Sequence, residues 1–227
     1  MEIIILAGGF GTRLKSVVKN KPKCLADVNG KPFLSLLIQN LIKQGLNDFI
    51  FSLHYQSDQI IKFINNESKD LFNKCKVRYL VEPEPLGTGG AIAYVINNLN
   101  ISDNFLVINS DTWIGCGIDK LSKSMYPSIL TVFLKNTYRY GKLEINSKNF
   151  ITKFKEKECE SQGYINAGAY HLSKKNFKLI KKRIFSIEND LFPMIKDLKA
   201  VKVETSFMDI GIPSDYKNFC NKNINYE

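Results

Sequence analysis

Five consecutive apolar residues, Ile3 to Ala7, run directly into Gly8, Gly9 and Gly11. A run that is apolar at every position, not at alternate ones, suits a strand buried on both faces, as in a parallel sheet covered by helices. Three glycines within four residues then strip side chains from the turn, so backbone N–H groups can approach a ligand closely. Arg13 stands where the next helix would begin. Backbone donors, a helix N-terminus and a guanidinium together make a receptor for phosphate.

The rest of the first half repeats the strand–helix pattern. Pro32 suits the start of a helix, and Phe33, Leu36, Leu37 and Leu41 recur at helical spacing until Gly45 stops it. Phe49–Leu53 reads as a second strand. Ser57 or Asp58 can cap a helix running to about Asn66. Val77–Val81 is a third strand, and the loop Glu82–Gly90 leads into a helix over Ala91–Leu99. Phe105–Asn109 is a fourth buried strand that ends at Ser110-Asp111. This alternation implies an α/β fold, a Rossmann-like, doubly wound and mostly parallel sheet with ligands at the carboxyl ends of its strands.

After about residue 135 the pattern changes. Ile129–Leu134, Lys142–Ile145, Ile151–Phe154 and Ile165–Leu172 read as strands with short turns between them. They are expected to form a small antiparallel lobe. Ser173 can cap a basic helix, Glu188–Lys196 reads as another, Val201–Glu204 as a strand, and a last helix starts near Pro213. No Gly-, Pro- or Ser-rich linker interrupts the chain. Residues 1–227 are thus expected to form one domain in two halves, 1–135 and 136–227.

The 227 residues suffice for a large core, and 44% apolar content is ordinary for a globular chain. No segment approaches ~18 apolar residues, so no membrane span is expected. Ile3–Leu6 is too short for a signal sequence. The five cysteines are scattered and never spaced Cys-x-x-Cys, which fits reduced thiols in a cytoplasmic protein. The net charge of +10 comes mainly from dispersed lysines. The densest group, Lys174 to Arg183, reads as a solvated face. No nucleic-acid-binding motif accompanies it, so neither nucleic acid nor membrane is an expected partner. A positive field would instead help to attract small polyanionic substrates.

The glycine loop is not a Walker A sequence, since no Gly-Lys-Ser/Thr follows, and Leu14 stands where a dinucleotide fingerprint needs its third glycine. The run Leu6-Ala7-Gly8-Gly9-Phe10-Gly11-Thr12-Arg13-Leu14, followed by Pro22-Lys23 and Gly30-Lys31-Pro32, resembles the signature of the sugar-1-phosphate nucleotidyltransferases. Glu84–Ala91 and Arg139-Tyr140-Gly141 look like segments of the bacterial heptose-1-phosphate guanylyltransferases within that family. The resemblance implies the nucleotide-diphospho-sugar transferase fold. The implied substrates are GTP and D-glycero-α-D-manno-heptose 1-phosphate, and the products pyrophosphate and a GDP-heptose for a cell-surface polysaccharide. Mannose 1-phosphate is the near alternative, followed by uridylyl or thymidylyl transfer. A sensor that binds sugar nucleotides without turnover and an NAD(P)-binding oxidoreductase are the readings from other classes. A homo-oligomer is compatible with any of them.

Such a reaction needs no protein nucleophile, because a sugar phosphate with a second pKa near ~6 is already ionised. Its difficulty is to bring two anions together, which calls for positioning and positive charge. Arg13 is assigned to the β- and γ-phosphates and Lys23 to the α-phosphate and the attacking phosphate. The resemblance implies the same two roles. Asp111, at the end of a buried strand, is a candidate magnesium ligand and catalytic residue, with Asp209 in Met-Asp-Ile-Gly-Ile-Pro as its partner. Nucleotide contacts are expected from Leu6, Ala7, Gly8, Gly9, Gly11, Thr12, Glu82, Pro85, Leu86, Gly87, Thr88 and Ser110. A carboxylate only accepts hydrogen bonds, and guanine offers two adjacent donors, so Glu82 at the base edge would favour guanine. Gly141, Glu156, Lys157, Asn166 and Gly168 resemble the family's sugar-phosphate elements. Cys24, His54, His171 and Trp113 are expected to be structural.

Overall fold

The computed structural model describes residues 1–67, 69–124, 127–155 and 161–222. β1 (Ile3–Ala7) is followed by a 3-10 turn at Thr12–Leu14, a second at Lys23–Leu25 and the small hairpin β2 (Asp27–Val28) and β3 (Lys31–Pro32). Then come α1 (Phe33–Lys43), β4 (Asp48–Leu53), α2 (Ser57–Asn66), β5 (Lys76–Val81), α3 (Gly87–Asn98) and β6 (Asn104–Asn109). β7 (Thr112–Ile114), α4 (Ile118–Ser122), β8 (Ser128–Leu134), β9 (Lys142–Ile145) and β10 (Ile151–Lys155) follow. The chain continues through β11 (Gly163–Ser173), α5 (Lys174–Phe177), β12 (Lys199–Val203), β13 (Phe207–Asp209) and α6 (Pro213–Asn221).

Seven strands form the central sheet in the order β12-β8-β11-β6-β1-β4-β5. All neighbours pair in parallel except β11, which runs antiparallel to both β6 and β8. β1 lies in the middle, and alternation of its side chains feeds two cores. Ile3 and Ile5 pack with Leu34, Leu37 and Phe63 of α1 and α2. Ile4 points the other way and packs with Ile92, Val95 and Ile187. The chain leaves β1 towards β4 and β5 and returns on its other side with β6, which makes the β1–β6 boundary the switch point of the sheet.

The antiparallel part is smaller than the sequence suggests. β8 and β11 join the central sheet, leaving β9 and β10 as a separate two-stranded hairpin. Their apolar runs explain this, since Ile129, Leu130, Ile165 and Leu172 are all buried within the sheet. The residue before α2 is Gln56, in the left-handed region with φ 52° and with no side-chain hydrogen bond to the helix, so Ser57 and Asp58 fall inside α2 and not at its cap. The basic segment after Ser173 is helical only over Lys174–Phe177. The Ser173 N–H and hydroxyl both donate to Asn176 Oδ1 at 2.9 Å. In place of a helix over Glu188–Lys196, a π-helical turn at Ile187–Leu191 runs into a 3-10 turn at Phe192–Met194, where Pro193 removes an amide donor.

α3 starts four residues earlier than the apolar pattern indicates. Its opening is folded onto the segment around Phe185, whose carbonyl accepts from the N–H groups of Gly89 (3.0 Å) and Gly90 (3.2 Å). A Cβ on Gly87, which has φ +74°, would lie 2.6 Å from that same carbonyl oxygen. The glycines of this loop are therefore needed for protein packing, independently of any ligand.

Candidate active site

A cavity of about 370 Å³ opens at the switch point. Its walls are Leu6–Gly11 after β1, Pro22–Cys24, Glu82 and Pro85–Thr88 after β5, Ala91 of α3, and Asn109–Asp111 after β6. The loops that carry the expected nucleotide contacts thus meet in one crevice. A hydrogen bond from Ser110 N–H to the Leu6 carbonyl (3.2 Å) ties the end of β6 to β1. A Cβ on Gly8 would come within 3.1 Å of Glu82 Oε1, so the glycine lets these two loops close against each other.

Lys23 and Asp111 form an ion pair and hydrogen bond between the ammonium and Oδ2. Lys23 is placed by the 3-10 turn after the extended Pro22. Gly11, with φ +59°, packs against it, since a Cβ there would stand 3.2 Å from the Lys23 Cβ. Thr12 and Arg13 are exposed and do not line the cavity; they stand on the turn that continues from Gly11. A second cavity of about 280 Å³ shares Phe10, Gly11 and Lys23 with the first and adds Lys15, Lys19 and Lys21. The approach to the glycine loop is therefore strongly positive.

Asp209 lies far along the chain but is brought back by β13, which pairs antiparallel with β7 so that Asp209 stands opposite Thr112. The Ile210 N–H donates to the Asp111 carbonyl at 3.0 Å. Asp209 Oδ1 accepts from the Gly211 N–H at 2.6 Å. Burial, and then the neighbouring Asp111 carboxylate, push the pKa of Asp209 up. Arg139 Nη2 is 3.7 Å from Asp209 Oδ2, and its Nη1 pairs with Asp215. Among the described residues no cluster of three or more metal-type side chains assembles. Two converging carboxylates, one of which raises the proton affinity of Asp209, nevertheless suit a hard cation that takes its remaining oxygens from substrate phosphates and water.

Glu82 is buried on the cavity wall. Its Oε1 accepts from the Ser52 hydroxyl at 3.0 Å, and its Oε2 accepts from the Leu86 N–H at 3.3 Å. Burial raises its pKa, and those two donors oppose the rise. Cys24 lines the cavity, but burial and then the charge of Asp111 push its thiol up to about 12, so it remains a neutral packing group.

Of the expected sugar-phosphate residues, Gly141, Asn166 and Gly168 are described. Gly141 (φ +69°) sits where a Cβ would be 2.8 Å from the Lys155 carbonyl oxygen, and Tyr140 packs edge-on against Phe207 of β13. Gly168 (φ +73°) abuts the cavity wall, since a Cβ there would be 2.6 Å from Asn109 Nδ2. Asn166 belongs to the same bulged stretch of β11. Glu156 and Lys157 lie outside the described residues.

Phe10, Pro22, Cys24, Ala91 and Asn109 also line the cavity, although no role was expected of them. Asn109 could have been found, because a polar side chain closing an otherwise apolar strand is the same signal that marks Asp111. Arg139 carried no assigned role either, and it becomes noticeable only when Asp209 and Asp215 are seen together.

Comparison with known proteins agrees with this geometry. Residues 2–223 match the family model described as nucleotidyl transferase. D-glycero-alpha-D-manno-heptose 1-phosphate guanylyltransferase from Campylobacter jejuni is 37% identical over 225 residues, which span 96% of this chain and 98% of the relative. Mannose-1-phosphate guanyltransferase from Emericella nidulans is 30% identical over 228 residues, spanning 95% of this chain but 62% of that protein. The crystal structure of HddC from Yersinia pseudotuberculosis complexed with GMP-PN superimposes with a TM-score of 0.86 at 39% identity, over 96% of this chain and 97% of HddC. Fold, cleft and sequence agree, and the chain belongs to the nucleotidyl transferase family.

Proposed function

We propose that this protein is a guanylyltransferase that joins GTP to D-glycero-α-D-manno-heptose 1-phosphate, releasing pyrophosphate and giving a GDP-heptose for cell-surface polysaccharide. The observation that carries the reading is the meeting of Lys23 and Asp111 at a cavity whose opposite loop holds the Glu82 carboxylate. The similarity to heptose-1-phosphate guanylyltransferases over nearly the whole chain supports the choice of sugar and base. The mannose-1-phosphate enzymes share the guanylyl chemistry, which makes mannose 1-phosphate the second reading.

In this mechanism a phosphate oxygen of the sugar 1-phosphate attacks the α-phosphorus of GTP in line with the bond to the β-phosphate. The new P–O bond forms as the old one breaks, and the electron pair leaves on pyrophosphate. No proton has to move, so no histidine or thiol is required. Lys23 lies on the α-phosphate, where charge accumulates, and Arg13, on the turn that continues from Gly11, takes the β- and γ-phosphates. Asp111 holds Lys23 in the cleft. Asp111 and Asp209 would hold magnesium, which when bound neutralises phosphate charge. Glu82 accepts from the ring N–H and exocyclic amine of guanine, while Pro85, Leu86 and Gly87 flank the base. The Thr88 hydroxyl hydrogen is already donated to Glu188 at 2.9 Å, so Thr88 would meet the nucleotide by its backbone and methyl group. Gly141, Asn166 and Gly168 would border the sugar phosphate, together with Glu156 and Lys157.

The test is a matrix of four nucleoside triphosphates against several sugar 1-phosphates, read as released pyrophosphate. Turnover is expected with GTP and the heptose 1-phosphate. Equal turnover of all four triphosphates would remove the guanine assignment, and tight GTP binding without any pyrophosphate would identify a sensor.

A further inference from the structure

Glu188 lies outside the cavity, and no step above uses it, yet both of its oxygens are committed. Oε2 accepts from the hydroxyls of Thr88 and Ser186, each at 2.9 Å. Oε1 accepts from the hydroxyl of Tyr170 at 3.3 Å. Tyr170 is fully buried in β11, and burial together with the Glu188 charge pushes its pKa well up, so the phenol keeps its hydrogen. A hydroxyl has one hydrogen to give, and a carboxylate can only accept. Tyr170 therefore spends its hydrogen on Glu188 and must accept from its other neighbour, Asn166 Nδ2, at 3.0 Å. The Gly168 N–H, which can only donate, meets Asn166 Oδ1 at 2.8 Å and fixes that end of the amide by itself, while Tyr170 holds the nitrogen end. Asn166 is only half-buried, and these bonds leave one N–H and one oxygen lone pair of its amide uncommitted. On the nucleotide side, Thr88 lines the cavity and its Oγ1 accepts from the Ile187 N–H at 2.9 Å, which pins it to the same turn.

We propose that Glu188 is a positioning residue that, through Tyr170, holds the nitrogen end of the Asn166 amide in place for the sugar 1-phosphate, and so sets selectivity among sugar hydroxyl patterns. This rests on the reading that Asn166 meets the sugar. A glutamine at position 188 can donate as well as accept, so Tyr170 can turn its hydrogen towards Asn166 Nδ2; that bond is then lost, and the amide is held only by the Gly168 N–H on its oxygen.

The experiment compares Glu188→Gln, Tyr170→Phe, their double variant and Asn166→Ala, with steady-state kinetics against both substrates and thermal unfolding of each. Glu188→Gln and Tyr170→Phe are each expected to raise KM for the sugar 1-phosphate about tenfold. KM for GTP and kcat should stay within about twofold, and preference between heptose and mannose 1-phosphates should narrow. The double variant should be no worse than either single one, since both cut the same chain. An unchanged sugar KM in Glu188→Gln while Asn166→Ala raises it would overturn the positioning role alone. An unchanged sugar KM in Asn166→Ala would overturn the sugar-contact reading and the inference with it. A fall in melting temperature with both KM values rising together would mark Glu188 as merely structural and also overturn the proposal.

Discussion

Lys23 and Asp111, 88 residues apart in the chain, are hydrogen-bonded across the switch point of the sheet. Each is partly buried and each neutralises the other. Removing either leaves the other as an uncompensated charge where two polyanions must meet. Lys23→Ala is expected to lower kcat by about 100-fold or more, in the range seen when one preorganised donor is lost from a transition state. Asp111→Ala should be similarly severe, and the double variant should cost far less than the product of the two, because the residues act as a unit. Single-turnover pyrophosphate release checks this, and additive effects would contradict the shared role.

Glu82 offers a pH test. Burial raises its pKa above the ordinary 4.5. The ionised form is the one that can accept from both guanine donors, so KM for GTP should climb as pH falls from neutrality towards that raised value. Stability has the opposite sign: a carboxylate with a raised folded pKa favours the fold when protonated, and that contribution fades as pH rises through the raised value. Glu82→Gln should remove the acid-side rise in KM. It should also weaken discrimination of GTP against the other triphosphates by roughly ten- to a hundredfold, the worth of a hydrogen bond to a charged group. Kinetics for each triphosphate between pH 5 and 8 decide both points.

The contact between α3 and Phe185 predicts a stability defect. Gly87→Ala would set a methyl 2.6 Å from the Phe185 carbonyl oxygen on a backbone with φ +74°. Strain of this kind costs about 1–3 kcal/mol, or a few degrees in Tm for a chain of this size. Differential scanning calorimetry should show the fall, and KM for GTP should rise with it because Gly87 also lines the cavity.

His171 is buried in β11 with its Nδ1 unpartnered, and burial lowers its pKa below 6.5. A histidine kept neutral by the fold contributes stability that is present above its unfolded pKa and is lost as pH falls below about 6.5. The melting temperature should therefore drop between pH 7.5 and 5.5. His171→Leu should start lower, because backbone carbonyls at Leu121 and Ser124 lose their donor, but should fall less steeply. Parallel slopes would assign the acid sensitivity to other groups.

The sheet was legible where one strand carries its own signal. Ile3–Ala7, Phe49–Phe51 and Phe105–Ile108 are continuous apolar runs; the glycines and Asp111 follow the first and the last of these strands, and Glu82 follows β5 beside them. The position of Asp209 was not legible from spacing, because it depends on β13 returning to pair with β7. The early start of α3 was hidden for the same reason, since Gly87, Gly89 and Gly90 read as loop until Phe185 is seen against them. The Thr88–Glu188–Tyr170–Asn166 chain joins residues whose order in the sequence gives no hint of their contact. Periodicity reports what a segment buries, whereas these relationships depend on which segments share a neighbour.

The start of α3 has one more consequence. Its leading amides are already engaged, Leu86 with the Glu82 carboxylate and Gly89 and Gly90 with a carbonyl oxygen. The positive pole of that helix is thus answered from within the protein, and an incoming triphosphate gains little from it. What attracts the nucleotide must come instead from flexible lysines around the glycine loop, whose reach through water shrinks to about 8 Å at physiological ionic strength. Capture of nucleotide by this cleft is accordingly tuned by the ions dissolved around it, tight in dilute buffer and progressively looser in brine.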